Sequence, residues 1–284
     1  MTGNTHWTID MNDTLYDNWD YFNSNREIAE KLLNRSWVGI RQQAHSIGIK
    51  NDSNYLTSNK EIFKTARNYL DGLLLSDGSI PYDKIYPTNL YEQGCSFEQW
   101  LYIIKESLSE YNIECYIDNG RTIYNTFSPR GSVIYKLRTR RYIEFKKFGD
   151  RWYKKWYDID NCPETLWHHD SESGEYFIWK KIVPKDIRLS PECVLNWYLG
   201  DGSITKRKNG YGYEMTISTE NFTRENVIFL SDYLSEILDI KCSISKIGRI
   251  HIGSQLYIKE FLNYIKDCEI PECYKHKFPN ELLN

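Results

Sequence analysis

No stretch of this 284-residue chain holds the roughly 20 consecutive apolar residues that a membrane-spanning helix needs, so no membrane association is expected. The start, Met1 to Asp13, is polar and carries no secretory leader. Seven cysteines are scattered at 95, 115, 162, 193, 242, 268 and 273 without framework spacing, which points to reduced thiols in an intracellular protein. Cys268, Cys273 and His276 are near neighbours, as are Cys162, His168 and His169, but neither set has the fourth ligand or the regular spacing of a zinc site. No glycine-rich phosphate loop of the P-loop or dinucleotide kind is present, and no serine or cysteine can be argued as an activated nucleophile.

What remains is a folded, soluble composition, 40% hydrophobic and 26% charged, long enough for two or three small domains. The net charge of −3 does not by itself suggest a polyanion as partner. Its distribution is more informative. Residues 136–155 hold nine Lys or Arg against two acids, and Lys206, Arg207 and Lys208 form a second basic cluster. The 23 tyrosines, with abundant Asn, Lys and Ile, suggest an AT-rich coding sequence, which hints at an organelle, virus or mobile element without choosing among them or a cytoplasmic setting.

Two segments look alike. Leu70-Asp71-Gly72-Leu73-Leu74-Leu75-Ser76-Asp77-Gly78 and Val194-Leu195-Asn196-Trp197-Tyr198-Leu199-Gly200-Asp201-Gly202 are apolar runs ending in Asp-Gly. Each has a small or compact residue at its third and seventh positions, four apart and so on one helical face. Two such helices could pack closely along that face. Packing them would bring Asp77 and Asp201 together at helix C-termini, where the dipole already disfavours a carboxylate. A divalent metal is the simplest reason for such a pair. One copy alone reads as a buried helix and an Asp-Gly turn; two copies, 124 residues apart, are a stronger signal.

Upstream, residues 13 to about 50 read as three short helices. Ser36 would cap the third, with Trp37, Ile40, Ala44 and Ile47 inward, Arg41, Gln42 and His45 on another face, and Gly48 at its end. This suits a helix-turn-helix module whose third helix reads a major groove; a plain three-helix bundle is the other reading. Polar residues 51–59 make a linker.

After the linker the same order of elements occurs twice. A motif helix near 61–76 precedes strands near 79–83 and 88–95, a helix over 97–111, strands near 113–125 and 132–140, and a basic helix over 142–156. A motif helix near 191–200 precedes strands near 203–208 and 211–219, a helix over 222–239, strands near 240–246 and 249–253, and a helix over 255–267. In the strand near 132–140, Lys136, Arg138 and Arg140 fall on one face, a cation row suited to phosphate or guanine contacts. Glu214, Thr216 and Ser218, then Ser243, Ser245, Arg249 and His251, form the polar faces of later strands, as in any half-exposed sheet.

The paired motifs resemble those of single-chain LAGLIDADG homing endonucleases, each ending in a metal-binding acid. The resemblance covers about residues 60–284. It extends to Lys181-Ile182-Val183-Pro184 and Leu189-Ser190-Pro191 before the second motif, to Thr216 through Phe222, and to Ile270-Pro271 with Tyr274 through Pro279. It is nearest to monomeric intron-encoded members of yeast-mitochondrial type. The fold implied is α+β: two pseudo-symmetric αββαββα repeats (59–186 and 187–284) forming a saddle on double-stranded DNA, preceded by the helical module (1–58). The activity implied is cleavage of both strands of a long site, leaving short 3′ overhangs.

By that resemblance Asp77 and Asp201 bind Mg2+, with help from the backbone carbonyls of Ser76 and Gly200. Lys181 is one active-site lysine. Lys277 or Lys275 is the other, because Tyr-Lys-His-Lys-Phe-Pro departs from the usual Tyr-Lys-apolar-Pro. Gln93 matches a water-organising glutamine, with Glu220 as its second-repeat counterpart. A monomer is expected, and the helical module is expected to raise affinity or fix orientation on one flank. The competing reading is a non-cleaving protein of the same fold, either a transcription regulator or a maturase with intron RNA as partner. The His-Asn end of an intein is absent, so a free-standing or intron-encoded protein is expected.

Overall fold

The computed structural model describes residues 7–46, 59–81, 89–125, 128–159, 162–163, 166–170, 173–207 and 211–282. The two motif segments form helices that lie side by side in the interior. The first is α6 (Arg67–Leu75), preceded by a short α5 (Ile62–Thr65); the second is α9 (Pro191–Asp201). The first motif helix is therefore broken at Ala66 rather than continuous from Glu61. Ser190 caps α9 by accepting from Cys193 N–H, and Pro191 occupies the first turn, where its missing N–H costs nothing.

The small positions bear out the close approach. A Cβ placed on Gly72 would stand 2.6 Å from the Cys193 carbonyl oxygen and 3.0 Å from Asn196 Cβ. One placed on Gly200 would stand 2.5 Å from Ser76 Cβ and 3.5 Å from an Asp77 carboxylate oxygen. Gly72 thus meets Asn196, and Ser76 meets Gly200, so the third and seventh positions of the motifs face each other.

Each motif helix leads into a four-stranded antiparallel sheet. The first holds β1 (Gly78–Ser79), β2 (Glu92–Cys95), β3 (Cys115–Asn125) and β4 (Ser128–Thr139), in the order β1-β2-β4-β3. Helix α7 (Glu98–Glu110) buries Trp100, Leu101, Ile104 and Leu108. Helix α8 (Ile143–Trp152) closes the first half, and β5 (Tyr153–Trp156) follows it directly. The expected helix over 142–156 therefore ends at Trp152.

Strand β5 pairs with β7 (Tyr176–Lys181), which also pairs with β6 (His168–His169). This three-stranded sheet between the halves was not foreseen. Beyond α9 come β8 (Gly202–Lys206), β9 (Tyr213–Ile217), α10 (Arg224–Leu238), β10 (Ser243–Ile244), β11 (Ile250–Ile252) and α11 (Gln255–Tyr264). Their sheet runs β10-β11-β9-β8. Counted from its own motif helix, each sheet has its strands in the order first, second, fourth, third. Tyr213, Met215 and Ile217 are buried as alternation requires, but Tyr211 lies before the strand and is exposed.

Among the described residues the N-terminal segment folds as four short helices, not three: α1 (Ile9–Asp17), α2 (Trp19–Ser24), α3 (Arg26–Leu33) and α4 (Trp37–Ser46). Leu15, Trp19, Phe22, Ala29, Leu33, Ile40 and Ala44 make a core separate from that of the rest. Ile40 and Ala44 are inward as expected, with Trp37 packed against that core. Ile47 and Gly48 lie outside the described residues.

Candidate active site and nucleic-acid interface

The site is built where α6 and α9 end. Asp77 stands two residues beyond α6, and Asp201 is the last residue of α9. Two lysines converge on these ends. Lys181, the last residue of β7, donates from Nζ to the carbonyls of Ser76 (3.2 Å) and Gly78 (2.7 Å). Lys277 ends a 3-10 helix (Glu272–Lys277) and donates to the carbonyls of Leu199 (2.7 Å), Gly200 (3.2 Å) and Gly202 (2.9 Å). Each ammonium therefore sits on orphan carbonyls at a helix C-terminus, where a cation is favoured.

Lys275 is not brought here. It is exposed and paired with Glu272 at 2.5 Å. Lys277 is the lysine of that pair at the carboxylates.

The electrostatics are those of four charges partly stripped of water. Lost hydration, and then Asp77, push the Asp201 carboxyl up to about 7, against the pull of Lys181 and Lys277. The Asp77 carboxyl is raised too, by lost hydration, against the same lysines. Lys181 falls to about 8 because its loss of hydration outweighs the two carboxylates, and Lys277 is lowered for the same reason.

The donors suit a hard cation: two carboxylates, with the Ser76 and Gly200 carbonyls beside them. No group of three or more His, Cys, Asp or Glu able to hold a metal occurs among the described residues. A bound Mg2+ would therefore need phosphate or water oxygens to complete its shell, which is the habit of that ion.

Gln93 is buried on β2, directly across from Gly78. Its Oε1 accepts from the hydroxyl of the buried Tyr91, whose ring leaves no room for a side chain at Gly78. Glu220, its expected counterpart, does not hold the equivalent register position, where Gly202 faces Ile217, but its charge adds to the rise of the Asp201 carboxyl. Glu220 instead pairs with Arg249.

The cation row on β4 exists but is already engaged. Lys136 lies 2.6 Å from Glu92, Arg138 reaches Glu92 (3.5 Å) and Asp118 (3.3 Å), and Arg140 meets Glu114 (3.0 Å). Glu92 comes from β2, Asp118 from β3 and Glu114 from the residue just before β3. Lys206 is paired with Glu281 at 3.3 Å, and His251 with Glu214 at 3.5 Å. Thr216 and Ser203 share a hydroxyl–hydroxyl bond, and Ser243 faces His251 across the strands. Ser218, Ser245 and Arg207 are half-buried; Lys208 lies outside the described residues.

The same face of the first sheet meets α1. The Tyr116 hydroxyl donates to Asp17 (2.8 Å), and Arg121 lies 3.6 Å from Asp13. Asn12, Asp13 and Asp17 wall a cleft of about 440 Å3 with Tyr116, Asp118 and Arg138. Burial there raises the Asp17 carboxyl, despite Tyr116 and Arg138. Arg41 and Gln42 are exposed on α4, while the side chain of His45 is outside the described residues.

Residues 173–261 match the LAGLIDADG DNA endonuclease family. An uncharacterized protein of Methanocaldococcus jannaschii, MJ1098, is 30% identical over 227 residues, which cover 78% of this chain and 77% of that protein. The chain therefore carries a LAGLIDADG family domain over residues 173–261. Its fold is that of the homing endonuclease I-WcaI, solved bound to its DNA recognition sequence. The TM-score is 0.59 at 18% identity, over 83% of this chain and 96% of that one. The family match lies within the second half of the chain, and the first motif helix lies outside it.

Three features of the site escaped sequence reasoning. Tyr198 read only as part of an apolar run, and Tyr91 only as part of a strand. Asp71, an acid inside an apolar run, was a visible signal: it is fully buried and bonded to Arg151 and the Trp152 indole.

Proposed function

We propose that this LAGLIDADG protein is a site-specific double-strand DNA endonuclease. It hydrolyses one phosphodiester in each strand of a long asymmetric target and leaves short 3′ overhangs. The observation that carries the reading is the convergence of Asp77 and Asp201, each at the end of one motif helix, with a lysine on each helix end. A non-cleaving binder gains nothing from two carboxylates driven out of their ordinary range in one place.

In this reading the two halves are pseudo-symmetric repeats whose sheets straddle the duplex, and each helix end serves one strand. Asp77 and Asp201 would hold Mg2+, which when bound would supply an activated water and charge stabilisation at the leaving oxygen. Lys181 and Lys277 lie within reach of the carbonyls beside each acid, where they stabilise charge on the phosphate. Gln93, its Oε1 occupied by Tyr91, keeps its amide N–H groups for water or phosphate. The helical module contacts one flank through α4, and the protein acts as an intracellular monomer, intron-encoded or free-standing.

The test is incubation of a randomised DNA library with the protein and magnesium, followed by sequencing of the cut ends. Recurrent staggered sites, lost on adding a chelator and in both Asp77→Asn and Asp201→Asn, are the expected result. Library molecules retained but never cut would replace this reading with that of a regulator or maturase.

A further inference from the structure

Lys277 is gripped twice by one turn of α9. Its ammonium lies on the carbonyls of Leu199, Gly200 and Gly202. Its own backbone carbonyl accepts a hydrogen bond from the Tyr198 hydroxyl, at 2.8 Å. Tyr198 belongs to the same helix, three residues before Asp201. Its ring is fully buried, packed on Phe261 and Phe278 with centroids 5.3 and 5.2 Å away. A Cβ on Gly202 would overlap that ring, so the glycine after the acid leaves room for this tyrosine.

The first centre is held differently. The motif position of Tyr198 is Leu74 there, which has no hydroxyl. Lys181 sits in a strand ladder opposite Tyr153, so sheet pairing fixes its backbone. Lys277 ends a 3-10 turn, a poorer hydrogen-bonding geometry, and is followed by Pro279 within two residues. Sheet pairing restrains one lysine, while a phenol bond restrains the carbonyl of the other.

We propose that Tyr198 is a positioning residue that sets Lys277 against Asp201, and that through it the two strands are cut by centres of unequal rigidity. The proposal rests on the endonuclease reading above. It concerns the reaction step and not DNA binding, since Tyr198 is buried beneath the site.

Tyr198→Phe keeps the ring and removes only the hydroxyl. With a cleavable target and magnesium, the expected result is cleavage of one strand slowed by about 10-fold or more, with nicked duplex accumulating and DNA affinity unchanged. The slowed strand is the one slowed by Lys277→Met. In Tyr198→Phe/Lys277→Met the tyrosine change adds nothing further, because the residue it positions is gone. Leu74→Met, at the matching position of the first helix, is a packing control in which both strands are cut at an unchanged ratio.

Full additivity in the double variant, or equal slowing of both strands by Tyr198→Phe, would overturn the proposal. Failure of the wild-type protein to cut any target is a separate result that overturns the endonuclease reading itself.

Discussion

Arg151 clasps Asp71 with both terminal nitrogens, at 2.5 and 2.9 Å, and thereby ties α8 to the first motif helix. The Trp152 indole N–H donates to the same carboxylate at 2.9 Å, and Arg151 also reaches Asp186 at 2.8 Å. Asp71 is fully buried, so these donors replace all of its water. Removing the carboxylate leaves the Arg151 charge without its main partner. Asp71→Ala is expected to cost about 3–5 kcal/mol. Thermal unfolding should then fall by on the order of 10 °C. A loss under about 2 °C would mean that Arg151 finds another partner.

The contacts of Gly72 and Gly200 are with opposing backbone or short side chains, which cannot swing away. Gly72→Ala and Gly200→Ala should each destabilise by roughly 1–3 kcal/mol through overpacking. Cleavage should fall more than stability, since the helices must part to admit the methyl group. Variants that unfold at the wild-type temperature and cut at the wild-type rate would show that the seam is looser than it looks.

The two candidate lysines of the C-terminal segment separate cleanly. Lys277→Met should lower the cleavage rate by about 10²-fold or more, the scale of losing one charge-stabilising donor, with little change in DNA affinity. Lys275→Ala should leave the rate within about twofold, because an exposed ion pair contributes little. The reverse ranking would move the active-site role to Lys275.

Asp13 and Asp17 lie on the sheet face that the proposed function gives to DNA. Asp13→Asn with Asp17→Asn removes two negative charges from that face without shortening the chain. Affinity for DNA should rise roughly tenfold at low salt, and the gain should fade as salt screens the charges. An equal or weaker affinity at every salt concentration would mean that α1 swings clear when DNA binds.

How much of this was written in the sequence varies with the reach of the interaction. The seam between α6 and α9 was legible because the small residues recur at helical spacing within nine-residue segments. Most strands of the two four-stranded sheets were legible through alternation, and α7 and α10 through their 3.6-residue period. The sheet of β5, β6 and β7 was not. Its strands carry aromatics and lysines on both faces, as in Tyr153 through Trp156, so no period of two stands out. The neutralised cation row was hidden for another reason. Lys136 and Arg138 meet Glu92, more than forty residues earlier, and only strand register brings them abreast. Lys277 could not be told from Lys275 by motif alone, because a 3-10 turn points residues two apart in different directions.

The seam where Gly72 meets Asn196 and Ser76 meets Gly200 has a geometric corollary. Asp201 ends one of two helices packed at van der Waals distance and Asp77 follows the other by two residues, so the seam resists any change in the gap between them. The seam is then a ruler. In the proposed endonuclease the stagger between the two cuts would be a constant of the protein, and a target would qualify only if its duplex could bend until its two phosphates matched that fixed span.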